Sequence, residues 1–293
     1  MITTILQGGL GNQMFQYAAG FNLAKKSGSD LLLDTVFLDD RLPRKQVTRY
    51  VYSLDAFGIK KRPTFLSRCA SALPIPGLWL YADIIQMKLR HKLRSQKMIT
   101  EGNWTNKSLN KATLFGYFQG ERYFTDSIED IRSVFDFKNK MEGEAAVFAK
   151  EIQESDAVSL HVRRGDYVNF KNNEKLFGKT NTLYYEEAVD YITERVKNPI
   201  FFVFSNDIEW CRQNIKLKFP VTYITPSSAG PKDLFHMQLM SLCKHNIITN
   251  STFSWWGAWL NKNKGKIVIA PKQWFQNSPK DFKDPVPSLW VRL

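Results

Sequence analysis

The stretch Ala157-Val158-Ser159-Leu160-His161-Val162-Arg163-Arg164-Gly165-Asp166-Tyr167 decides the fold. An apolar run of strand length ends in two arginines, a glycine and an aspartate. The chain then keeps alternating. Residues 184–196 carry a helical pattern, 200–204 are a buried strand, 208–214 a short helix and 221–224 a strand. Residues 232–243 (helix), 246–249 (strand), 253–260 (helix) and 266–270 (strand, stopped by Pro271) complete the series. Strands alternating with helices over this length predict a parallel, doubly wound α/β sheet.

The N-terminus opens the same way. Residues 2–7 form a short apolar run, glycines follow at once, and a helical pattern runs through Phe15, Ala18, Ala19, Phe21, Leu23 and Ala24. Residues 31–34 read as the next strand, 113–118 as another, and 127–135 and 142–154 as helices. Residues 39–110 are irregular, basic and proline-containing, and yield no assignment. Two domains are expected, 1–153 and 154–293, divided where the clean alternation begins.

Composition narrows the class. The 293 residues are 43% hydrophobic and 24% charged, which supports a packed core and excludes global disorder. Cys69, Cys211 and Cys243 are odd in number and form no CxxC pair, which argues against a zinc site or a disulfide framework and for a reducing compartment. The first residues lack a basic n-region, and no apolar stretch reaches the roughly 18 residues that span a bilayer. A cytoplasmic protein is expected, with the sequons at Asn103, Asn106 and Asn250 as chance matches. The net charge is +13, and residues 41–97 hold thirteen Lys and Arg against Asp55 and Asp83. A solvated basic face accounts for that segment. So does peripheral contact with an anionic membrane surface or an acidic glycan. No nucleic-acid motif accompanies it, so nucleic acid is not an expected partner.

Three constellations carry chemistry. In Gln7-Gly8-Gly9-Leu10-Gly11-Asn12-Gln13, glycines lie between a strand and a helix. The backbone there can approach a ligand, and the helix N-terminus favours an anion. A structural tight turn is the plainer reading. At the end of a strand, Arg163 and Arg164 suit a diphosphate, Gly165 lets the loop turn, and Asp166 can orient an arginine or take a proton. A surface ion-pair cluster would look the same. In Thr249-Asn250-Ser251-Thr252-Phe253-Ser254-Trp255-Trp256-Gly257, small polar residues at a strand-to-helix junction can cap the helix or bind phosphate, and the Trp pair can be core. No Asp-x-Asp occurs, and His91, His161, His236 and His245 lack metal spacing, so no metal is expected.

These segments resemble the α-1,2-fucosyltransferases of glycosyltransferase family 11. The matching strings are GGLGNQMFQYA at 8–18, HVRRGDY at 161–167, FSND at 204–207 and LMSLCKHNIITNSTFSWWGAWL at 239–260. The resemblance implies a GT-B architecture of two Rossmann-like halves facing across a cleft, with the acceptor on the N-terminal side and GDP-fucose on the C-terminal side. It implies inverting, metal-independent transfer of L-fucose to the 2-hydroxyl of a terminal galactose. The HVRRGD string is also similar to the basic motif of α-1,6- and protein O-fucosyltransferases, which places Arg163 on the donor's β-phosphate and His161 near the nucleotide. Asp233 resembles the acidic residue that reads guanine in those relatives. Ser251, Thr252, Phe253 and Ser254 match the stretch that wraps the diphosphate. Gly8, Gly9, Gly11, Asn12, Arg164, Ser205, Asn206 and Asn250 complete the donor-binding set that the strings imply.

On that reading Arg163 and the helix N-termini at Gly11 and Thr252 neutralise the departing GDP. Asp166 is the expected base, with Glu174 the alternative. The expected acceptor is a galactose-terminated glycan, with a lipid-linked precursor of a surface polysaccharide fitting the basic segment. Two rivals stand beside this reading: the same scaffold using another nucleotide sugar, and a non-catalytic protein that binds polyanions or membranes through residues 41–97.

Overall fold

The computed structural model describes residues 1–39, 50–61, 97–138, 140–163, 182–225, 234–275 and 283–293. The chain forms two compact units, one built chiefly on Met1–Val134 and the other chiefly on the chain from Phe135 onward. The division lies upstream of residue 153. The reason is the helix Gly143–Gln153, whose Ala145 and Ile152 are buried with Phe202, Phe204 and Ile224 of the second unit's sheet.

In the first unit, β1 (Ile2–Ile5), β2 (Leu31–Asp34), β3 (Lys97–Ile99) and β4 (Ala112–Leu114) form a sheet of order β2-β1-β4-β3, parallel throughout. Helix α1 (Leu10–Lys26) covers it, burying Met14, Phe15, Ala18, Ala19 and Leu23. Gly20 permits this close approach. A Cβ there would stand 2.1 Å from Thr4 Oγ1 and 2.9 Å from Leu31 Cδ1. Lys25 and Lys26 close the helix, where cations favour its carbonyl end. A short helix, α2 (Val36–Asp39), follows β2, and α3 (Ile128–Val134) ends the unit. β3 has no counterpart in the sequence reading, and β4 is shorter than the 113–118 run expected.

In the second unit, α4 (Gly143–Gln153) leads into β5 (Asp156–Val162), α5 (Thr182–Thr193), β6 (Pro199–Ser205), α6 (Ile208–Asn214), β7 (Val221–Ile224), α7 (Leu234–Leu242), β8 (His245–Ile247), α8 (Thr252–Leu260), β9 (Val268–Ala270) and β10 (Val291–Arg292). The alternation read from the sequence is present, with β10 added. The sheet order is β10-β9-β8-β5-β6-β7, again parallel throughout. This is the doubly wound Rossmann order: the chain moves outward from β5 to β7, then returns to lay β8 against the other side of β5. Side chains of β5 alternate between two cores. Val158, Leu160 and Val162 pack with Tyr185, Ala188 and Ile192 of α5. Ala157 packs on the opposite face with Leu239, Met240 and Cys243.

The junction of β5 and β8 is fixed by a buried amide network. Asn246 Nδ2 donates to Ser159 Oγ (2.7 Å) and to the Met240 carbonyl (2.7 Å). Asn246 Oδ1 accepts from Asn261 Nδ2 (2.7 Å), which also reaches the Cys243 carbonyl (2.7 Å). One asparagine thus joins two strands and the ends of α7 and α8. The tryptophan pair is core: Trp255 and Trp256 are buried and pack with Trp259, and Lys266 Nζ caps the end of α8 on the Ala258 and Asn261 carbonyls. Asn246→Leu leaves the partners of this network unanswered. It is expected to lower unfolding free energy by about 2–4 kcal/mol in urea titration, with little change in the slope.

Candidate functional site

Ligands of open α/β sheets sit beyond the carboxyl ends of the strands, at the point where strand order reverses. In the second unit that point lies between β5 and β8. β5 runs directly into Arg163, and β8 continues through Ile248, Thr249 and Asn250 to Ser251, the N-cap residue of α8. Arg163 Nη1 donates to Ser251 Oγ at 3.2 Å. The Ser251 side chain does not cap its helix, and its carbonyl accepts from Trp255 N (3.0 Å). The helix end, with its partial positive charge, therefore stands beside a guanidinium. Two positive groups so placed can attract a phosphate or another anion.

His161, on β5 two residues before Arg163, is 8% exposed, and among the described residues its Nδ1 has no hydrogen-bond partner. Burial, then the neighbouring charges of Arg163 and His236, push the His161 pKa down to about 3. The ring is therefore neutral near pH 7. Its centroid lies 6.2 Å from that of Phe253 on α8.

Other residues singled out in the sequence turn to structural work in this state. Ser254 Oγ bonds back to the Ser251 carbonyl (3.3 Å). Asn250 accepts from Thr249 Oγ1 (2.9 Å) and donates to the Trp274 carbonyl (3.4 Å). In the FSND string, Ser205 Oγ accepts from Asp207 N (2.9 Å) and Asp207 caps α6 through Trp210 N (3.1 Å), while Asn206 is exposed. Sequence reasoning passed over His236. Its Nε2 lies 3.1 Å from the Thr225 carbonyl, and its ring packs edge-on to Phe204 at the end of β6.

The first unit offers a second candidate surface in the turn between β1 and α1. Gly8 has φ +78°, and a Cβ there would meet Asn12 Nδ2 at 2.6 Å. Gly9 is the N-cap residue of α1, and the Tyr50 ring stands where a Gly9 side chain would begin. Gly11 lies in the first turn of the helix. Gln13 pins the 50–53 segment to this turn: Nε2 donates to the Gly8 and Val51 carbonyls, both at 2.8 Å, and Oε1 accepts from Ser53 N at 2.9 Å. The glycines of the turn are thus packed against Asn12 and Tyr50, and Gln13 adds a clamp that the sequence did not disclose.

The model of glycosyl transferase family 11 matches this chain over residues 1–286. The chain belongs to glycosyltransferase family 11. This family 11 glycosyltransferase is 34% identical over 302 residues to an α-1,2-colitosyltransferase of Escherichia coli, covering 100% of this chain and 99% of that one. It is 33% identical over 292 residues to the O-antigen biosynthesis glycosyltransferase WbnK of Escherichia coli, covering 94% and 95%. It is 26% identical over 258 residues to galactoside α-(1,2)-fucosyltransferase 2 of Pongo pygmaeus, covering 86% and 67%.

Of the expected site residues of this glycosyltransferase, Arg164, Asp166, Glu174 and Asp233 lie outside the described residues, as do residues 41–49 and 62–96 of the basic segment. Among the described residues, no group of three or more His, Cys, Asp or Glu is placed to hold a metal ion, and no helix is long and apolar enough to cross a membrane.

The depressed His161 pKa makes a stability prediction. The unfolded chain binds a proton at the ordinary histidine pKa and the folded site does so only near 3. Stability is therefore full above about pH 6.5 and falls as pH drops toward 3. Between pH 7 and 5, His161→Gln is expected to lose about 1–2 kcal/mol less than the parent in urea titrations of the ligand-free protein.

Proposed function

We propose that this glycosyltransferase transfers L-fucose from GDP-fucose to the 2-hydroxyl of a terminal galactose, with inversion and without a metal. The observation that carries the proposal is the Arg163–Ser251 contact at the switch point. Family membership makes the ligand a glycosyl donor. Similarity to the galactoside α-(1,2)-fucosyltransferase of Pongo pygmaeus supports fucose, a galactoside acceptor and the 1,2 linkage.

The chemistry follows from charge. As the glycosidic bond to the diphosphate breaks, negative charge grows on GDP and the sugar becomes oxocarbenium-like. Arg163 and the α8 N-terminus stabilise that charge. Thr252 and Phe253 lie in the first turn of that helix, and the turn Gly8, Gly9, Gly11, Asn12 supplies a second backbone approach. Asp233 is assigned to guanine. His161 stays neutral and offers a ring nitrogen to the nucleotide without adding charge. The acceptor hydroxyl attacks from the opposite face, with Asp166 as base and Glu174 as the alternative. The first unit carries the acceptor. The acceptor is a lipid-linked surface-polysaccharide precursor at the inner face of the membrane. The O-antigen relative and the basic segment support that placement.

The colitosyltransferase relative favours a second reading, in which the same site takes a GDP-linked colitosyl donor. Colitose lacks the 3-hydroxyl of fucose. A site that hydrogen-bonds that hydroxyl discriminates strongly against the deoxy sugar, whereas one that leaves it in water does not.

A donor panel of GDP-fucose, GDP-colitose, GDP-mannose and UDP-galactose, with galactose-terminated oligosaccharides and EDTA, tests the reading. Transfer is expected from GDP-fucose, with a 1,2 linkage by NMR. Preference for GDP-colitose would favour the second reading, and dependence on added Mg²⁺ would remove the metal-free mechanism. Arg163→Ala is expected to lower kcat/KM by about 10²–10³-fold with an unchanged circular dichroism spectrum. Arg163→Lys is expected to restore little, because a point charge does not reproduce the planar fork.

A further inference from the structure

In the first unit the chain runs from β1 to β2 on one side and returns with β4 on the other, so the switch point of this sheet lies between β1 and β4. The two turns that leave those strands are Gly8–Asn12 and Gly116–Gly120. They are joined by side-chain amides. Gln16 accepts from Gln7 N (3.0 Å) and donates to the Gly116 carbonyl (3.1 Å). Gln119 Nε2 donates to Asn12 Oδ1 at 3.2 Å.

The second of these bonds does more than join. An asparagine side chain has two unlike ends, and only its hydrogen bonds decide which way round it sits. Gln119 takes the oxygen of Asn12, which leaves the Asn12 NH₂ on the Gly8 side of the turn.

The position of Gln119 is itself heavily constrained. Phe118 adopts φ +51°, a left-handed conformation without glycine, between Gly116 and Gly120 at +155° and +112°. Glu101 Oε1 holds the turn by accepting from the Tyr117 and Phe118 amides at 2.5 and 2.9 Å. The Phe118 ring is locked edge-on against Tyr123 and tilted against Trp104. Such a conformation persists only where its surroundings impose it, and it collects where placement of a side chain matters.

We propose that Gln119 is a positioning residue for glycosyl transfer, acting through Asn12 to keep that amide turned with its NH₂ toward the ligand side of the Gly8–Asn12 turn. This rests on the reading of that turn as part of the sugar-nucleotide site. Gln119 forms no bond to substrate; it fixes the orientation of a group that does.

A double-mutant cycle with Asn12→Ala and Gln119→Met, read as kcat and KM with the wild-type donor, tests this, with thermal melting alongside. Each single variant is expected to lower kcat about tenfold, and the double variant to be no slower than the slower single one. Gln119→Glu adds a readout that a merely structural role would not move. Its ionised carboxylate faces Asn12 Oδ1 and turns the amide over, whereas its protonated form donates and restores the bond. Its kcat relative to the parent is therefore expected to rise as pH falls toward the carboxyl range. Independent, multiplicative effects, a silent Gln119→Met beside an impaired Asn12→Ala, or a flat relative pH profile would each overturn the proposal. Full activity in Asn12→Ala would instead overturn the reading of the turn on which it rests.

Discussion

The site in the second unit depends on one pairing. β5 and β8 lie side by side in parallel, with Ser159 opposite Asn246 and Leu160 opposite Ile247. That register lets Arg163 and Ser251, 88 residues apart, meet beyond the strand ends. A slip of one residue would turn every β8 side chain to the other face. Asn246 would then enter the apolar layer of Val158, Leu160 and Ile247 and lose its bond to Ser159. The buried amide is thus a register pin whose consequence appears one turn further along the chain, where a hydroxyl meets a guanidinium.

Much of this unit could be read from the sequence because its strands are buried on both faces, and their apolar runs stand out from the helices between them. β3 and β10 could not, because three and two residues carry no detectable period. Residues 142–154 were readable as a helix, but not as a helix of the second unit. That depends on where Ala145 and Ile152 are buried, which periodicity does not encode. Arg163 and Ser251 were visible as members of strings at the ends of predicted strands. Asn246, Asn261, Gln13 and Gln119 were not visible in their roles. Their partners are main-chain groups or distant amides, and no spacing in the chain announces them.

The electrostatics of the switch point follow from the same packing. Arg163 and the α8 N-terminus are both positive, and a protonated histidine between them and the sheet would repel both. Burial keeps His161 neutral, with Arg163 and His236 adding to the effect. The positive charge at the strand ends therefore comes from Arg163 and the α8 N-terminus, while His161 contributes a polar atom and no charge.

The first unit solves a different problem with different chemistry. Its strand-end turns expose both N–H and C=O groups, so a clamp across them must donate and accept at once. Gln13 does this against two carbonyls and one amide, and Gln16 against one of each. A carboxylate could serve only the amides, and an ammonium only the carbonyls. Either would also leave a charge in a well-packed turn, with its own desolvation cost. Neutral amides hold the glycine turn in shape and leave its potential to be set by the helix N-terminus. The string Gly8–Gln16 is therefore conformational and electrostatic at once: its glycines let the turn pack closely against Asn12 and Tyr50, and its amides hold that shape.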